Sequence, residues 1–239
     1  MVLLAVFAIL LAASVTQAVT GFGFALVAVP LLAAATDART AVVGAALLSP
    51  LITVTMAVRE RTYVRWRTAM AIVGAALLGM PFGLLLLRGA PERVLTALIA
   101  VVALGCTLIV WRGVRIGTGI TTVGVVGVLT GALGTATGTS GPPLVAAFQA
   151  MGYDPRTFRA TIAAVFTATG MLGLVGYAVA GQVRTSALVV GLTGAPAVAL
   201  GWLAGNRLFA RIDPASFRRL VLVALVFISL ATLARALAG

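Results

Sequence analysis

Thr130-Gly131-Ala132-Leu133-Gly134-Thr135-Ala136-Thr137-Gly138-Thr139-Ser140-Gly141-Pro142-Pro143-Leu144, followed by Met151-Gly152-Tyr153-Asp154-Pro155-Arg156-Thr157-Phe158-Arg159, is the stretch on which the fold turns. A helix buried in an apolar surrounding has no local reason to hold so many glycines, hydroxyls and a Pro-Pro pair. Each of them lowers helix stability or exposes backbone polar groups. A weaker echo lies near the N-terminus, at Thr20-Gly21-Phe22-Gly23-Phe24-Ala25 with Pro30-Leu31 and then Asp37-Ala38-Arg39-Thr40. The chain reads as two halves, each opening with a broken apolar segment.

The setting of these segments is a bilayer. The chain is 62% hydrophobic and 9% charged, with a mean hydropathy of +1.17. A soluble domain needs about 25% charged residues to cover its surface, so the composition indicates an integral membrane protein. All 17 basic residues are arginine, against five acids (Asp37, Glu60, Glu92, Asp154, Asp213) and no histidine. The arginines sit in short loops between apolar spans, where membrane orientation accounts for them without a nucleic-acid partner. The single cysteine, Cys106, lies in an apolar run and offers neither a disulfide framework nor a thiol metal cluster. The apolar N-terminus lacks the basic leader of a signal peptide and is read as part of the fold. The Arg-, Ala- and Gly-rich, lysine-free composition suggests a GC-rich bacterial genome, and with it a multi-pass protein of the cytoplasmic (inner) membrane.

Apolar segments fall at 2–36, 40–58, 68–87, 92–111, 117–150, 158–180, 186–206 and 215–236. Six have the roughly 20 residues that span a bilayer once; segments 2–36 and 117–150 are nearly twice that and break at glycines. Landmarks recur in one order. Gly21 with Pro30-Leu31 matches Gly134 with Pro143-Leu144, and Asp37-Ala38-Arg39-Thr40 matches Asp154-Pro155-Arg156-Thr157. Gly79-Met80-Pro81 matches Gly194-Ala195-Pro196, and Pro91-Glu92 matches Pro214-Ala215. A duplication is the expectation, with a first repeat over 1–116 and a second over 117–239.

Arginine placement decides how the long segments run. If every segment crosses once, Arg59, Arg61, Arg65, Arg67, Arg112, Arg115, Arg184 and Arg235 face the other nine, and no orientation emerges. If 117–150 turns back at its glycines, Arg156, Arg159, Arg207, Arg211, Arg218 and Arg219 join Arg59, Arg61, Arg65, Arg67, Arg112 and Arg115, twelve against five. The expected fold class is therefore an all-α polytopic membrane protein. It has two inverted-topology repeats, each opening with a glycine-broken fold-back segment followed by three transmembrane helices. Both termini lie outside and the loops at 59–67, 112–116, 151–157 and 207–219 inside. The short arm 142–150 favours re-entry over a full crossing.

The acids lie at loops or span ends, so an intramembrane proton relay, a carboxylate cation site, a Ser-His-Asp hydrolase and a zinc site all lack material. No enzyme, metal or cofactor is expected. What remains is backbone and hydroxyls. A half-helix that starts inside the membrane points N–H groups and a partial positive charge at the break, a seat for an anion. The candidate substrate-binding residues are Gly21, Phe22 and Gly23 in the first half, with Thr20 and Gln17 nearby. In the second half they are Thr137, Gly138, Thr139, Ser140, Gly141 and Pro142, with Gln149. The two breaks are expected near the bilayer midplane. Gly79 with Gly83 and Gly201 with Gly205, spaced four apart, read instead as helix-packing positions. Arg39 and Arg159 read as helix-end residues that snorkel to the interface.

These residues carry a resemblance. Gly21-Phe22-Gly23 with Pro30-Leu31-Leu32, and Gly138-Thr139-Ser140-Gly141-Pro142-Pro143-Leu144 followed by Tyr153-Asp154-Pro155-Arg156 with Arg159-Ala160, resemble the sulfite exporter TauE/SafE family of membrane permeases over essentially the whole chain. The first half departs from that family's glycine-dense pattern at Phe24 and Ala25. The resemblance implies export of a small sulfur-containing anion such as sulfite or an organosulfonate; the sulfur comes from the resemblance alone. The expected partners are thus that anion and the lipid bilayer, with homo-oligomerisation left open. Three other readings remain at this point: an ion-coupled importer of a sulfur oxyanion such as thiosulfate or sulfate, a non-transporting membrane assembly protein, and a transporter of a neutral or cationic solute.

Overall fold

The computed structural model describes residues 2–91, 119–138 and 140–213, with isolated positions from 94 to 112, at 117 and from 216 to 226. The expected spans 92–111 and 215–236 and the loop 112–116 fall, but for those positions, outside the described residues. Every regular element among the described residues is helical. They are α1 (Val2–Thr20), α2 (Phe24–Ala35), α3 (Ala38–Arg59), α4 (Trp66–Gly89), α5 (Ile120–Thr137), α6 (Gly141–Ala150), α7 (Pro155–Val179) and α8 (Thr185–Phe209), with a 3-10 turn at Arg61–Tyr63. Five stretches, Arg39–Arg59, Trp66–Gly89, Ile120–Thr137, Pro155–Val179 and Thr185–Phe209, are long and apolar enough to cross a membrane. The protein is an all-α polytopic membrane protein.

Helix starts follow local chemistry. Asp37 caps α3 by accepting the Thr40 N–H at 3.0 Å, and Asp154 caps α7 by accepting those of Thr157 and Arg156, each at 3.1 Å. The hydrogen bonds from Thr40 hold the Asp37 carboxyl below its ordinary value. At Asp154 partial burial pushes upward, but the bonds from Thr157 and Arg156 outweigh it and the carboxyl again lies low.

The chain packs as two compact units, Met1–Val64 with Arg159–Ile212 and Arg65–Phe158 with Asp213–Gly239. In the first, α1, α3 and α8 run in the same direction. Along α1 and α8, Gly194 meets Leu10, the Ser14 hydroxyl donates to the Val198 carbonyl at 2.6 Å, and Gly205 meets Val15 and Ala18. Along α3 and α8, the Thr40 and Ser186 hydroxyls pair at 2.8 Å, Gly44 meets Val190, Gly194 meets Leu48, and Arg59 lies 5.3 Å from the Trp202 ring. Three helices pointing one way require residues 21–37 to run back the full height of the unit. The 12 residues of α2 supply about 18 Å of that return, and the non-helical residues on either side supply the rest.

In the second unit α4 and α5 run together, with Gly127 against Ile72 and Ala75, Gly131 against Ala76, and the Thr135 hydroxyl donating to the Met80 carbonyl at 3.0 Å. Beyond α6, the Tyr153 hydroxyl lies 3.2 Å from that of Thr68, at the start of α4. The segment 138–153 therefore turns back over more than half the height of α4. Phe148 anchors the return, its ring 5.2 Å from Tyr153 and edge-on to Phe158 at 6.1 Å.

Both long segments fold back, so a single crossing of 117–150 is excluded. Arg39 and Arg184 flank the Thr40–Ser186 contact at one end of the first unit, while Arg59, Arg61, Arg159, Arg207 and Arg211 gather at the other. In the second unit Arg65, Arg67 and Arg156 share the end marked by Tyr153 and Thr68, and Arg88 ends α4 at the other.

Candidate functional site

At the first break α1 ends at Thr20, and Gly21 and Gly23 take left-handed backbone (φ 83° and 107°) to reverse the chain into α2. A β-carbon at Gly21 would lie 3.0 Å from the Arg159 Cγ and 3.1 Å from Ile162, so the chain passes hard against α7. The break is braced from within. The Gln17 carboxamide donates to the Gly21 carbonyl at 3.1 Å and accepts the Phe24 N–H at 3.0 Å. Thr20 donates to the Phe22 carbonyl and accepts the Phe22 N–H at 3.2 Å. Gly21, Phe22 and Gly23 are all buried, and part of their donor capacity is already used by Gln17 and Thr20.

The second break is built differently. Gly138, left-handed at φ 70°, closes α5 by donating its N–H to the Gly134 carbonyl at 3.0 Å. Ser140 then stands at the N-cap of α6 without a side-chain cap hydrogen bond. Of the first four N–H positions of α6, Pro142 and Pro143 occupy two and have no hydrogen to donate, which leaves Ser140 and Gly141. The prolines start the helix while reducing the number of backbone donors that burial would strand. Gly141 through Phe148 are buried in an unbroken run. The Thr137 hydroxyl is turned back onto the Leu133 carbonyl at 2.7 Å, and Thr139 lies outside the described residues. Gln149 sits at the far end of α6, about 13 Å along the helix from Ser140, and is not brought to the break.

Two expectations change. Neither break is at the middle of its unit. With 19 residues, about 28 Å, α1 crosses most of the apolar thickness before it breaks, and the first break is level with the ends of α3 and α8. In the second unit the alignment of Gly131 with Ala76 and Thr135 with Met80 carries Gly138 past the middle of α4 toward Gly89.

The second change is Arg159, which does not snorkel. It is 2% exposed and ties four elements together. Its Nη2 and Nε engage both carboxylate oxygens of Glu60, the Nε–Oε2 distance being 3.3 Å. Nη2 also donates to Asn206 Oδ1 at 2.7 Å, Nη1 to the Ala18 carbonyl at 2.8 Å, and the Phe209 ring lies 3.8 Å from the guanidinium carbon. Ala18 belongs to the last turn of α1, whose carbonyls lack helical partners, so a buried cation there also offsets the negative end of that helix. Sequence reading assigned Glu60 to a span end and Arg159 to an interface. The signal that joins them is the arginine count itself, because the fold-back topology puts the end of α3 and the start of α7 on one side.

The glycines expected to serve packing do so. A β-carbon at Gly201 would lie 2.6 Å from the Leu11 carbonyl and one at Gly205 2.8 Å from that of Val15, while Gly79 and Gly83 press on the backbone of α5 at Val128 and Ala132. Gly131, inside the glycine-rich run, belongs to this class too, since a side chain there would strike the Ala76 backbone.

No curated protein and no solved structure matches the chain. The family model described as Sulfite exporter TauE/SafE matches residues 6–232, nearly the whole chain. That family is one of membrane transporters rather than enzymes, and the matched range takes in both breaks of this chain. This chain belongs to the sulfite exporter TauE/SafE family.

Proposed function

We propose that this membrane permease exports a small sulfur-containing anion, sulfite or an organosulfonate, across a bacterial inner membrane. The transport cycle alternates access between inverted repeats, 1–116 and 117–239. The observation that supports it is the start of α6, a buried helix N-terminus with Ser140 at its cap and Gly141 behind it, reached through left-handed Gly138. Its partial positive charge suits an anion. The donors in this reading are the N–H groups of Ser140 and Gly141 with the hydroxyls of Thr139 and Ser140, while Thr137, Gly138 and Pro142 shape the break, Gly21, Phe22 and Gly23 contribute from the other break, and Gln149 lines the path at the far end of α6. An interior-negative potential contributes about 2.3 kcal/mol per charge per 100 mV toward anion export, so outward flux needs no coupling ion.

The test is current from purified protein in liposomes on a solid-supported membrane, with sulfite, sulfate, thiosulfate, sulfoacetate, acetate and chloride presented in turn. The expected result is a transient for one or two sulfur anions that is lost in the Gly138→Leu, Ser140→Ala double variant. Flux of no anion under any imposed gradient, or wild-type current from the double variant, sinks the reading.

A further inference from the structure

Besides tying four elements together, the ion pair between Arg159 and Glu60 offers an anion seat separate from the donors at the breaks. Its guanidinium is almost wholly enclosed, while the Glu60 side chain keeps 19% of its surface exposed. Glu60 lies just past the last residue of α3, at the junction with the 3-10 turn, its N–H donating to the Met56 carbonyl at 3.0 Å and its carbonyl accepting from Tyr63 at 2.9 Å, so an exchange moves its side chain and not its backbone. The two carboxylate oxygens sit on Nε and Nη2, the fork-on-fork geometry that any planar or pyramidal oxyanion with two oxygens can reproduce. Asn206 Oδ1, the Ala18 carbonyl and the Phe209 ring hold the guanidinium from other directions. Against Arg159 lies Gly21, the first residue of the break.

We propose that Arg159 is an oxyanion-binding residue whose seat Glu60 occupies in this structure, so that a sulfite- or sulfonate-class anion enters by displacing the Glu60 carboxylate. This rests on the permease reading and gives it a charged ligand that the breaks alone lack. Energetically the step is an exchange. An arginine stripped of its partner inside a protein is costly, but swapping one anion for another leaves its charge compensated throughout. Glu60 starts partly exposed and moves into water, so its own departure carries a small desolvation balance. Glu60 thereby acts as a tethered competitor, and the apparent affinity for substrate is set by how well the anion outbids it.

The test is thermal unfolding of the purified full-length protein in detergent, titrated with sodium sulfite or sodium methanesulfonate, sodium chloride holding ionic strength constant. A ligand that binds only the folded state raises the transition temperature in proportion to its saturation. Glu60→Gln is expected to show this rise at a half-saturating anion concentration about tenfold below wild type, the order expected when a charged competitor becomes a neutral one. The Glu60→Gln, Arg159→Gln double variant, which leaves no charge unpaired, is expected to lose the rise. An unchanged half-saturation in Glu60→Gln, a retained rise in the double variant, or no rise in any protein overturns the proposal. Should Glu60→Gln show no cooperative transition, Glu60→Asp is read instead. Its shorter carboxylate cannot hold both nitrogens at once, so a lower half-saturation supports the exchange and an unchanged one overturns it. Binding that follows this pattern without any current would sink the permease reading alone; wild-type current from the double variant at unchanged half-saturation would sink this proposal alone.

Discussion

At the scale of single residues, the two aspartate caps and Gly21 make separable predictions. Asp37→Ala and Asp154→Ala each remove a side-chain acceptor from the first turn of a helix and are expected to cost about 1 kcal/mol in detergent unfolding, with the Asn variants nearer wild type. Both carboxyls are held below their ordinary value in the folded chain. Their contribution is therefore fully present above the unfolded value, about 3.9, and lost as pH falls through the lower folded value. Unfolding curves between neutral and strongly acid pH are expected to converge for wild type and the Ala variants at the acid end. Gly21→Ala combines a left-handed backbone with a β-carbon 3.0 Å from Arg159, and about 1–3 kcal/mol of lost stability is expected. A neutral result there would mean that the break does not pass against α7 as described.

At the scale of elements, close packing separates glycines that look alike in sequence. Gly131 and Gly124 both lie on α5, but a side chain at Gly131 strikes the Ala76 backbone, whereas one at Gly124 meets nothing within 4 Å. Gly131→Leu is expected to lower the unfolding temperature sharply, by overpacking of about 1–3 kcal/mol or more. Gly124→Ala is expected to leave it unchanged or raise it by up to about 1 kcal/mol through helix propensity. Equal effects from the two would contradict the α4–α5 contact. The element scale is also where sequence reading fell short. It recognised that 2–36 and 117–150 are broken and fold back, because length against bilayer thickness and the arginine tally both demand it. It placed the breaks midway because nothing in a string of apolar residues shows how much of a 19-residue helix is spent before the glycine.

At the scale of the whole molecule, the fold-back topology fixes which loops share a side. With Cys106 replaced by serine, Thr62→Cys and Gly152→Cys are expected to be protected from a membrane-impermeant thiol reagent added outside intact cells, and to react after permeabilisation. Thr36→Cys and Gln182→Cys are expected to react at once. Thr62→Cys and Gly152→Cys reacting from opposite sides would rule the topology out. Within the second unit the Tyr153–Thr68 contact brings the chain beside Gly152 to the start of α4, and within the first the Arg159–Glu60 pair brings the start of α7 to the end of α3.

Sequence by itself determined that this is an all-helical membrane protein with two glycine-broken segments, because hydropathy, span length and the backbone demands of lipid leave no other solution. It also indicated the packing role of Gly201 and Gly205, through their spacing of four on one helix face. Only the tertiary structure decided that Gly131 packs rather than breaks, that the Gln17 carboxamide closes part of the first break, and that Arg159 is buried on Glu60. Those three depend on partners 7 to 99 residues distant. Which distant residues meet is set by the register of packed helices, and sequence spacing does not encode it.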